Sequence, residues 1–332
     1  MNQSNALISI LDGFSGKKAM VIGDVMIDTY IRGETNRISP EGPVPVLNVT
    51  KEEYRLGGAA NVALNLQSLG AEVMLCSVIG QDDYSEILLS LLSQHALDSS
   101  SIMFDAGRKT THKTRILARG QQLLRVDNES THFLSAEIES QFEKLCTKTM
   151  QNFQPDVLIF QDYDKGVLTK LIINKLIDAA RKAGILTSVD PKMRSFFEYN
   201  QIGLFKPNLK ELSEALNERI HSDDIEALKR ACEKLAKKTS AKKLLITLSA
   251  QGMYAYENHE GVVISPENIV QVSDVSGAGD TVLSIVSLGL ACGATLTNCA
   301  RLANFAGGLV CEKSGVVSIK FQELSQMLNK LE

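Results

Sequence analysis

The sequence predicts an α/β protein in which a doubly wound, mostly parallel sheet carries helices on both faces and a small β lid projects from it. Short apolar runs rich in β-branched residues alternate with segments of helical period, the pattern of parallel strands buried on both sides. Two stretches, 29–50 and 110–126, break that alternation and read as β structure outside the layers.

Taken in chain order, strands are expected at 19–22, 72–78, 156–160, 186–189 and 244–248, each a short apolar run bounded by polar or turn residues. Helices are expected at 59–69, 84–94, 136–150, 169–183, 224–238, 281–291 and 296–311, where apolar residues recur at three and four. The segment 29–50 holds Pro40, Pro43 and Pro45 among β-formers, and 110–126 reads as a hairpin. Both fit a lid over the carboxyl ends of the main strands, where open α/β sheets bind ligands. With no internal repeat or linker, residues 1–332 are expected to form one domain with the lid as an insertion.

A chain of 332 residues carrying 44% hydrophobic and 22% charged residues can bury a sizeable core. Its net charge of −4 and pI near 5.8 give no global attraction to nucleic acid or to an anionic membrane. No apolar run is long enough to span a bilayer, and the first residues lack the pattern of a signal peptide, so a cytoplasmic location is expected. The six cysteines form no C-x-x-C pair and read as reduced core residues, while the five histidines show no metal-ligand spacing.

The segment Gly277-Ala278-Gly279-Asp280 opens the helix expected at 281–291. Asp280 could be an N-cap behind two turn-forming glycines. Alternatively the glycines aim backbone N–H groups at an anion, aided by the helix dipole, and Asp280 is a general base. Earlier, Asp24 follows the first strand, where it could grip sugar hydroxyls or simply form a turn. Gly57-Gly58-Ala59-Ala60-Asn61 starts a helix with small residues, leaving room for a ligand. Neither G-x-G-x-x-G nor G-x-x-x-x-G-K-[ST] occurs, which argues against a dinucleotide dehydrogenase and a P-loop NTPase. Asn208 and Glu211 have the spacing of a capping box, and by spacing alone that reading prevails; the other is that they hold the waters of Mg²⁺. Thr247 to Gly252 ends a strand in a turn that is either an ordinary hairpin or a seat for a nucleotide.

Taken together, a Gly-Gly helix start, N-x-x-E, T-L-x-x-x-G and a late G-A-G-D resemble the ribokinase-like (PfkB) carbohydrate kinases over nearly the whole chain. Finer segments resemble the D-glycero-β-D-manno-heptose 7-phosphate kinases of lipopolysaccharide precursor synthesis. They are VIGDVMIDTYIRGETNRISPEGPVPV, RLGGAANVALNLQSLGA, KTRILARGQQLLRVD, QDYDKGVL and VDPKMRSF. The resemblance implies a ribokinase-like fold, ATP and Mg²⁺ as cofactors, and transfer of a phosphoryl group to the anomeric hydroxyl. It makes Asp280 the base, gives the anion hole to Gly277, Ala278 and Gly279, and assigns Mg²⁺ organisation to Asn208 and Glu211. It assigns the sugar to Asp24, Gly58 and Asn61, and ATP to Thr247, Gly252 and Asn304, with Ser249 where many members have glycine. Lys165 and Lys192 could reach phosphates or remain solvated. Many relatives carry a nucleotidyltransferase domain with H-x-G-H; that motif is missing here, so the second activity is expected from another protein. The alternatives are a kinase for another sugar phosphate and a sugar-binding sensor without catalysis.

Lys113, Arg115, Arg119 and Arg125 concentrate positive charge on the lid, a local site for the substrate's existing phosphate. Strand alternation sends Lys113, Arg115 and Arg119 to one face unless a bulge intervenes. Lid strands would leave Val44, Val46 and Leu47 on an open edge, so a homodimer through the lid is expected.

Overall fold

The computed structural model describes residues 3–266 and 272–330. In chain order the elements begin α1 (Gln3–Asp12), β1 (Lys18–Gly23), β2 (Val25–Ile38), β3 (Pro45–Gly58), α2 (Ala59–Ser68), β4 (Glu72–Ile79) and α3 (Asp83–Gln94). They continue β5 (Ile102–Phe104), β6 (Thr111–Ala118), β7 (Gln121–Asn128), α4 (Ala136–Phe153), β8 (Val157–Gln161), α5 (Lys170–Ala183), β9 (Leu186–Asp190) and β10 (Leu204–Phe205). They close with α6 (Leu209–Leu216), α7 (Ile225–Thr239), β11 (Lys243–Thr247), β12 (Met253–Glu257), β13 (Glu260–Ile264), α8 (Ala278–Ala291), α9 (Leu296–Cys311) and α10 (Phe321–Asn329).

Along β1 successive side chains enter opposite layers. Ala19 and Val21 join one core with residues of α1, α2, α3, α8, α9 and α10, whereas Met20 and Ile22 join another with residues of α4 to α7. In β8, Val157 and Ile159 enter the first core and Leu158 and Phe160 the second. This is why these strands read as unbroken apolar runs, and each of these side chains larger than alanine contributes roughly 1.5–3 kcal/mol of burial.

Among the described residues the main sheet has nine strands in the order β13-β12-β11-β10-β9-β8-β1-β4-β5. From β11 to β5 all neighbours are parallel, and β12 and β13 close one edge as an antiparallel hairpin. The lid is a separate four-stranded sheet, β3-β2-β6-β7. It is larger than the segments 29–50 and 110–126, because only Asp24 separates β1 from β2 and β3 runs directly into α2.

Strand pairing gives the lid two unlike faces. Asp28, Tyr30, Arg55, Lys113, Arg115, Arg125 and Asp127 share one side, which turns toward the main domain: Arg55 donates to the Ser314 and Val316 carbonyls, and the Tyr30 hydroxyl accepts from Val316 N–H. Ile27, Tyr54, Leu56, Leu124 and Val126 share the other, with Ile27 and Leu56 buried at its base and Tyr54, Leu124 and Val126 exposed further out. Val44 is also exposed, while Val46 and Leu47 are half-buried. The expected common face of Lys113, Arg115 and Arg119 fails at Arg119. A register shift follows Ile116, and Arg119 lies in the β6–β7 turn at φ +50°.

Helices α1, α6 and α10 and the β12–β13 hairpin were not among the elements expected from periodicity. The helices are of ten, eight and nine residues, lengths at which packing rather than propensity provides the stability.

Candidate active site

The residues with chemistry gather where the parallel strands end. Asp24 follows β1, Gln161 closes β8 and leads into Tyr163, Asp190 closes β9, Lys206 follows β10, and Thr247 closes β11. α8 brings its amino end to the same place.

Gly277, at φ +81°, is the N-cap of α8, and no side chain caps that end. Asp280 is the third residue of the helix, so its carboxylate is not a cap. It is 3% exposed and accepts from Asn61 Nδ2 at 2.7 Å, Tyr163 Oη at 2.9 Å and Gln161 Nε2 at 3.2 Å. Burial pushes its pKa up to about 6, with the Asn61 hydrogen bond pulling down and the Asp190 charge pushing further up. A carboxyl group poised there is ionised at neutral pH yet basic enough to take a proton.

At the first turn, a Cβ on Gly279 would lie 3.8 Å from both Asp190 Oδ2 and Lys206 Nζ. The Ala278 amide bonds the Val275 carbonyl at 3.2 Å, so it is not free for an anion as expected. The amides of Gly279 and Asp280 have no acceptor among the described residues, as befits a helix start. Beside them, Lys206 pairs with Asp190, which in turn meets Lys192, and Lys192 pairs with Glu211. Burial opposes charge on Lys192, but Asp190 and Glu211 outweigh it and hold its pKa above the ordinary lysine value.

The three residues expected to hold sugar have other partners. Asp24 is 1% exposed, and its carboxylate accepts from the backbone N–H groups of Tyr163, Lys165 and Val167 at 2.8, 3.1 and 3.2 Å. Its acceptor capacity is therefore turned into the protein. Gly58, at φ +59°, is required because a Cβ would come within 2.3 Å of the Asp24 carbonyl oxygen. Asn61 is fully buried, and its amide orients Asp280. A neighbour the sequence did not single out, Asp28, is 2% exposed and ion-paired with Arg115.

Of the four lid cations, Lys113, Arg115 and Arg125 are matched by carboxylates, while Arg119 donates to Asn36 Oδ1. Lys113 pairs with Asp127 and Glu129, Arg125 with Asp127, and Lys165 with Glu129. Arg115 and Arg125 are directly opposed across β6 and β7.

Asn208 and Glu211 form a complete capping box: Asn208 Oδ1 accepts from Glu211 N–H and Glu211 Oε2 from Asn208 N–H, both at 2.8 Å. With its other oxygen on Lys192, Glu211 suits a hydrated Mg²⁺ held through water, not one ligated directly. No cluster of three or more His, Cys, Asp or Glu able to hold a metal occurs among the described residues.

Thr247 bridges Asn208, the N-cap of α6, in a parallel β-bridge. Gly252 turns the hairpin at φ +89°, where a Cβ would meet the Ile264 carbonyl oxygen at 2.1 Å, and Asn304 donates to that same oxygen at 2.9 Å. Ser249 sits at φ +54°, which explains why glycine suits this position. The structure thus brings Thr247, Gly252 and Asn304 to one edge of the site.

Sequence reasoning missed Tyr163, Gln161, Asp190 and Lys206. A signal was present for Lys206, a lone charge directly after the buried pair Leu204-Phe205. Gln161 Oε1 is buried with no partner among the described residues, an open acceptor beside Asp280. A cavity of about 730 Å³ lies elsewhere, lined by Phe133, Leu171, Lys175, Arg194 and Glu198 among others. It holds none of these groups, so the chemistry and not the volume marks the site.

Residues 17–322 match the pfkB family of carbohydrate kinases. The chain belongs to that family. It is therefore a sugar kinase with the ribokinase-like fold, and the family implies ATP as phosphoryl donor. It is 41% identical over 316 residues to the bifunctional protein HldE of Pelobacter propionicus, covering 95% of this chain and 64% of that protein. The chain thus spans somewhat less than two thirds of the length of this relative. Phosphofructokinase-2 from Escherichia coli, in complex with potassium, superposes with a TM-score of 0.77 at 22% identity, covering 95% of this chain and 99% of that one. The Arabidopsis thaliana ribokinase complexed with ribose and ATP gives 0.73 at 18% identity, covering 96% and 100%. These two likenesses show the pfkB kinase fold.

Proposed function

We propose that this pfkB kinase transfers the γ-phosphoryl group of ATP to the anomeric hydroxyl of D-glycero-β-D-manno-heptose 7-phosphate, giving the 1,7-bisphosphate used in ADP-heptose and lipopolysaccharide core synthesis. The observation that carries the chemistry is the buried Asp280 carboxylate, held by three donors beside the amino end of α8. The identity with HldE and the segments shared with heptose 7-phosphate kinases support the substrate.

In this reading Asp280 accepts the proton of the attacking hydroxyl. The Gly279 and Asp280 amides and the Lys206 ammonium face the charge on the transferring group. Mg²⁺ would neutralise polyphosphate charge, with Asn208 and Glu211 holding its waters. Thr247, Gly252 and Asn304 flank the nucleotide. Arg115 and Arg125 take the 7-phosphate, exchanging part of their bonding to Asp28 and Asp127 for it.

One kinase domain spans the chain, with the lid as an insertion. Two copies pair through the lid, whose outer face exposes Tyr54, Leu124 and Val126 and whose β2–β3 connection exposes Val44. The reaction takes place in the cytoplasm, where ATP is supplied.

The test is ATP turnover against a panel of sugars and sugar phosphates. Turnover highest with heptose 7-phosphate is expected. A higher kcat/KM with another sugar phosphate would reassign the substrate, and no sugar-dependent turnover with any member would point to a binding protein.

A further inference from the structure

The loop 162–167, between β8 and α5, is held from two sides by a buried pair of opposite charges. Asp24 takes three of its amides, those of Tyr163, Lys165 and Val167. Arg108, 7% exposed, donates Nη2 to the Lys165 carbonyl at 3.0 Å and also to the His132 carbonyl at 3.0 Å. The backbone between these holds is constrained: Asp164 lies at φ +57° and Gly166 at φ +87°, where a Cβ would be 2.0 Å from the His132 carbonyl oxygen. A non-glycine residue in the left-handed region is retained only where its surroundings over-determine it. Burying Asp24 and Arg108 is costly as well, since Asp24 exchanges water for backbone N–H groups and Arg108 exchanges it for two carbonyls and an ion pair with Asp105 at 3.7 Å.

What this loop delivers is the Tyr163 hydroxyl. A phenol has one proton to donate, and this one goes to Asp280 Oδ1 at 2.9 Å. Gln161 Nε2 shares that oxygen and Asn61 Nδ2 occupies the other. A carboxylate offers about four lone-pair directions. Three are filled from the protein, which fixes the plane of the group and leaves one direction for a substrate hydroxyl.

We propose that Tyr163 is a positioning residue for Asp280, and that the Asp24–Arg108 clamp holds the 162–167 loop so that Tyr163 stays on it. This rests on the reading of Asp280 as the base. Tyr163 gives up no proton in the reaction; it stabilises the ionised carboxylate and aims its free lone pair. The charged groups that face Asp280 besides its three donors are Asp190, which raises its pKa, and Lys206, which lowers it. Those near the Tyr163 ring are Lys192, 5.6 Å from its centroid, and the charges of Asp190 and Asp28.

The test compares Tyr163→Phe, Asp24→Asn, their double variant and Asp280→Asn in kcat, KM and the pH profile of kcat. Tyr163→Phe keeps the ring and its packing, so the melting temperature should hold. Its kcat should fall about tenfold, the rate equivalent of one hydrogen bond to a charged group. The acid limb of its profile should move to higher pH, because a donor to the carboxylate is gone. Asp24→Asn should lower the melting temperature and kcat together, and the double variant should lose little more kcat than Asp24→Asn alone. An acid limb unmoved in Tyr163→Phe would overturn the proposal, as would fully additive losses in the double variant. So would an Asp24→Asn variant altered only in KM for the sugar. If Asp280→Asn kept near-normal turnover, the base assignment itself would fall; an inactive Asp280→Asn beside an unshifted Tyr163→Phe would sink only this inference.

Discussion

The Lys206 ammonium lies 2.7 Å from Asp190 Oδ2, with 3% and 8% of the two side chains exposed. Both groups border the first turn of α8, so the pair has two possible values, one for folding and one for phosphoryl transfer. Replacing Lys206 by Met should separate them. Because Lys192 still faces Asp190, the loss of stability should stay below the 3–5 kcal/mol of a broken buried pair, at roughly 1–3 kcal/mol. The kcat should fall by about 10²- to 10³-fold, as when a fixed electrostatic donor is removed. Thermal melts and saturation kinetics check this; an unchanged kcat would make the pair purely structural.

Asp280→Asn should lower kcat by about two to four orders of magnitude. Its stability has a pH signature. In the parent the folded-state pKa is raised from 3.8 to about 6, so folding disfavours the charged form. The parent therefore loses stability as pH rises from about 4 to about 6, and the neutral variant does not. Melting curves of both proteins across that window should diverge in the variant's favour, while the acid limb of the parent's kcat profile falls near pH 6. Parallel melting curves would count against the raised pKa.

Arg115 and Arg125 oppose each other, yet their removal should read differently. Arg115→Ala leaves Asp28, 2% exposed, without its ion partner, and should cost about 1–3 kcal/mol besides raising KM for heptose 7-phosphate. The Arg125 side chain is 52% exposed, and Arg125→Ala should raise that KM with no change in melting. Both should leave KM for ATP near normal and narrow the preference over unphosphorylated heptose. Should neither variant alter that preference, the phosphate is held elsewhere.

Glu211→Gln keeps an oxygen for the Asn208 amide but loses the charge shared with Lys192. The Mg²⁺ concentration needed for half-maximal rate should rise, with about 1 kcal/mol or less of stability lost. An unaltered Mg²⁺ titration would confine Glu211 to its cap and its ion pair.

Leu124→Glu on the lid's outer face should dissociate the proposed dimer without unfolding it, since that side chain is 55% exposed in one copy. Sedimentation of parent and variant at the same concentration decides; a parent that sediments as a monomer ends the proposal.

Much of the layered fold was legible because strands such as β1 and β8 feed two cores at once and so are apolar between their ends. The G-A-G-D segment likewise announced the site. What stayed hidden was how side chains divide the work. Asp24 and Asn61 carried the right residue types for sugar contacts, but whether a carboxylate faces solvent or a neighbouring loop depends on a segment some 139 positions on in the case of Tyr163. Asp280 looked like a candidate cap because sequence does not reveal which residue of a glycine-rich turn first adopts helical geometry. Tyr163 and Gln161 gave no periodic signal, since each acts through a single contact across the fold. The β12–β13 hairpin and the short terminal helices eluded periodicity because tertiary packing, not local pattern, stabilises them.

The central position of β1 bears on how the chain must assemble. Its neighbours are β4 and β8, and Ala19 pairs with Val73 on one side and Val157 on the other. During synthesis the first strand therefore waits for well over a hundred residues before its second ladder can form, with apolar side chains on both surfaces meanwhile unprotected. Parallel pairings so distant in sequence are slow to close and open to aggregation. Recovery of active enzyme from dilute denaturant should accordingly depend on protein concentration and on holdase chaperones.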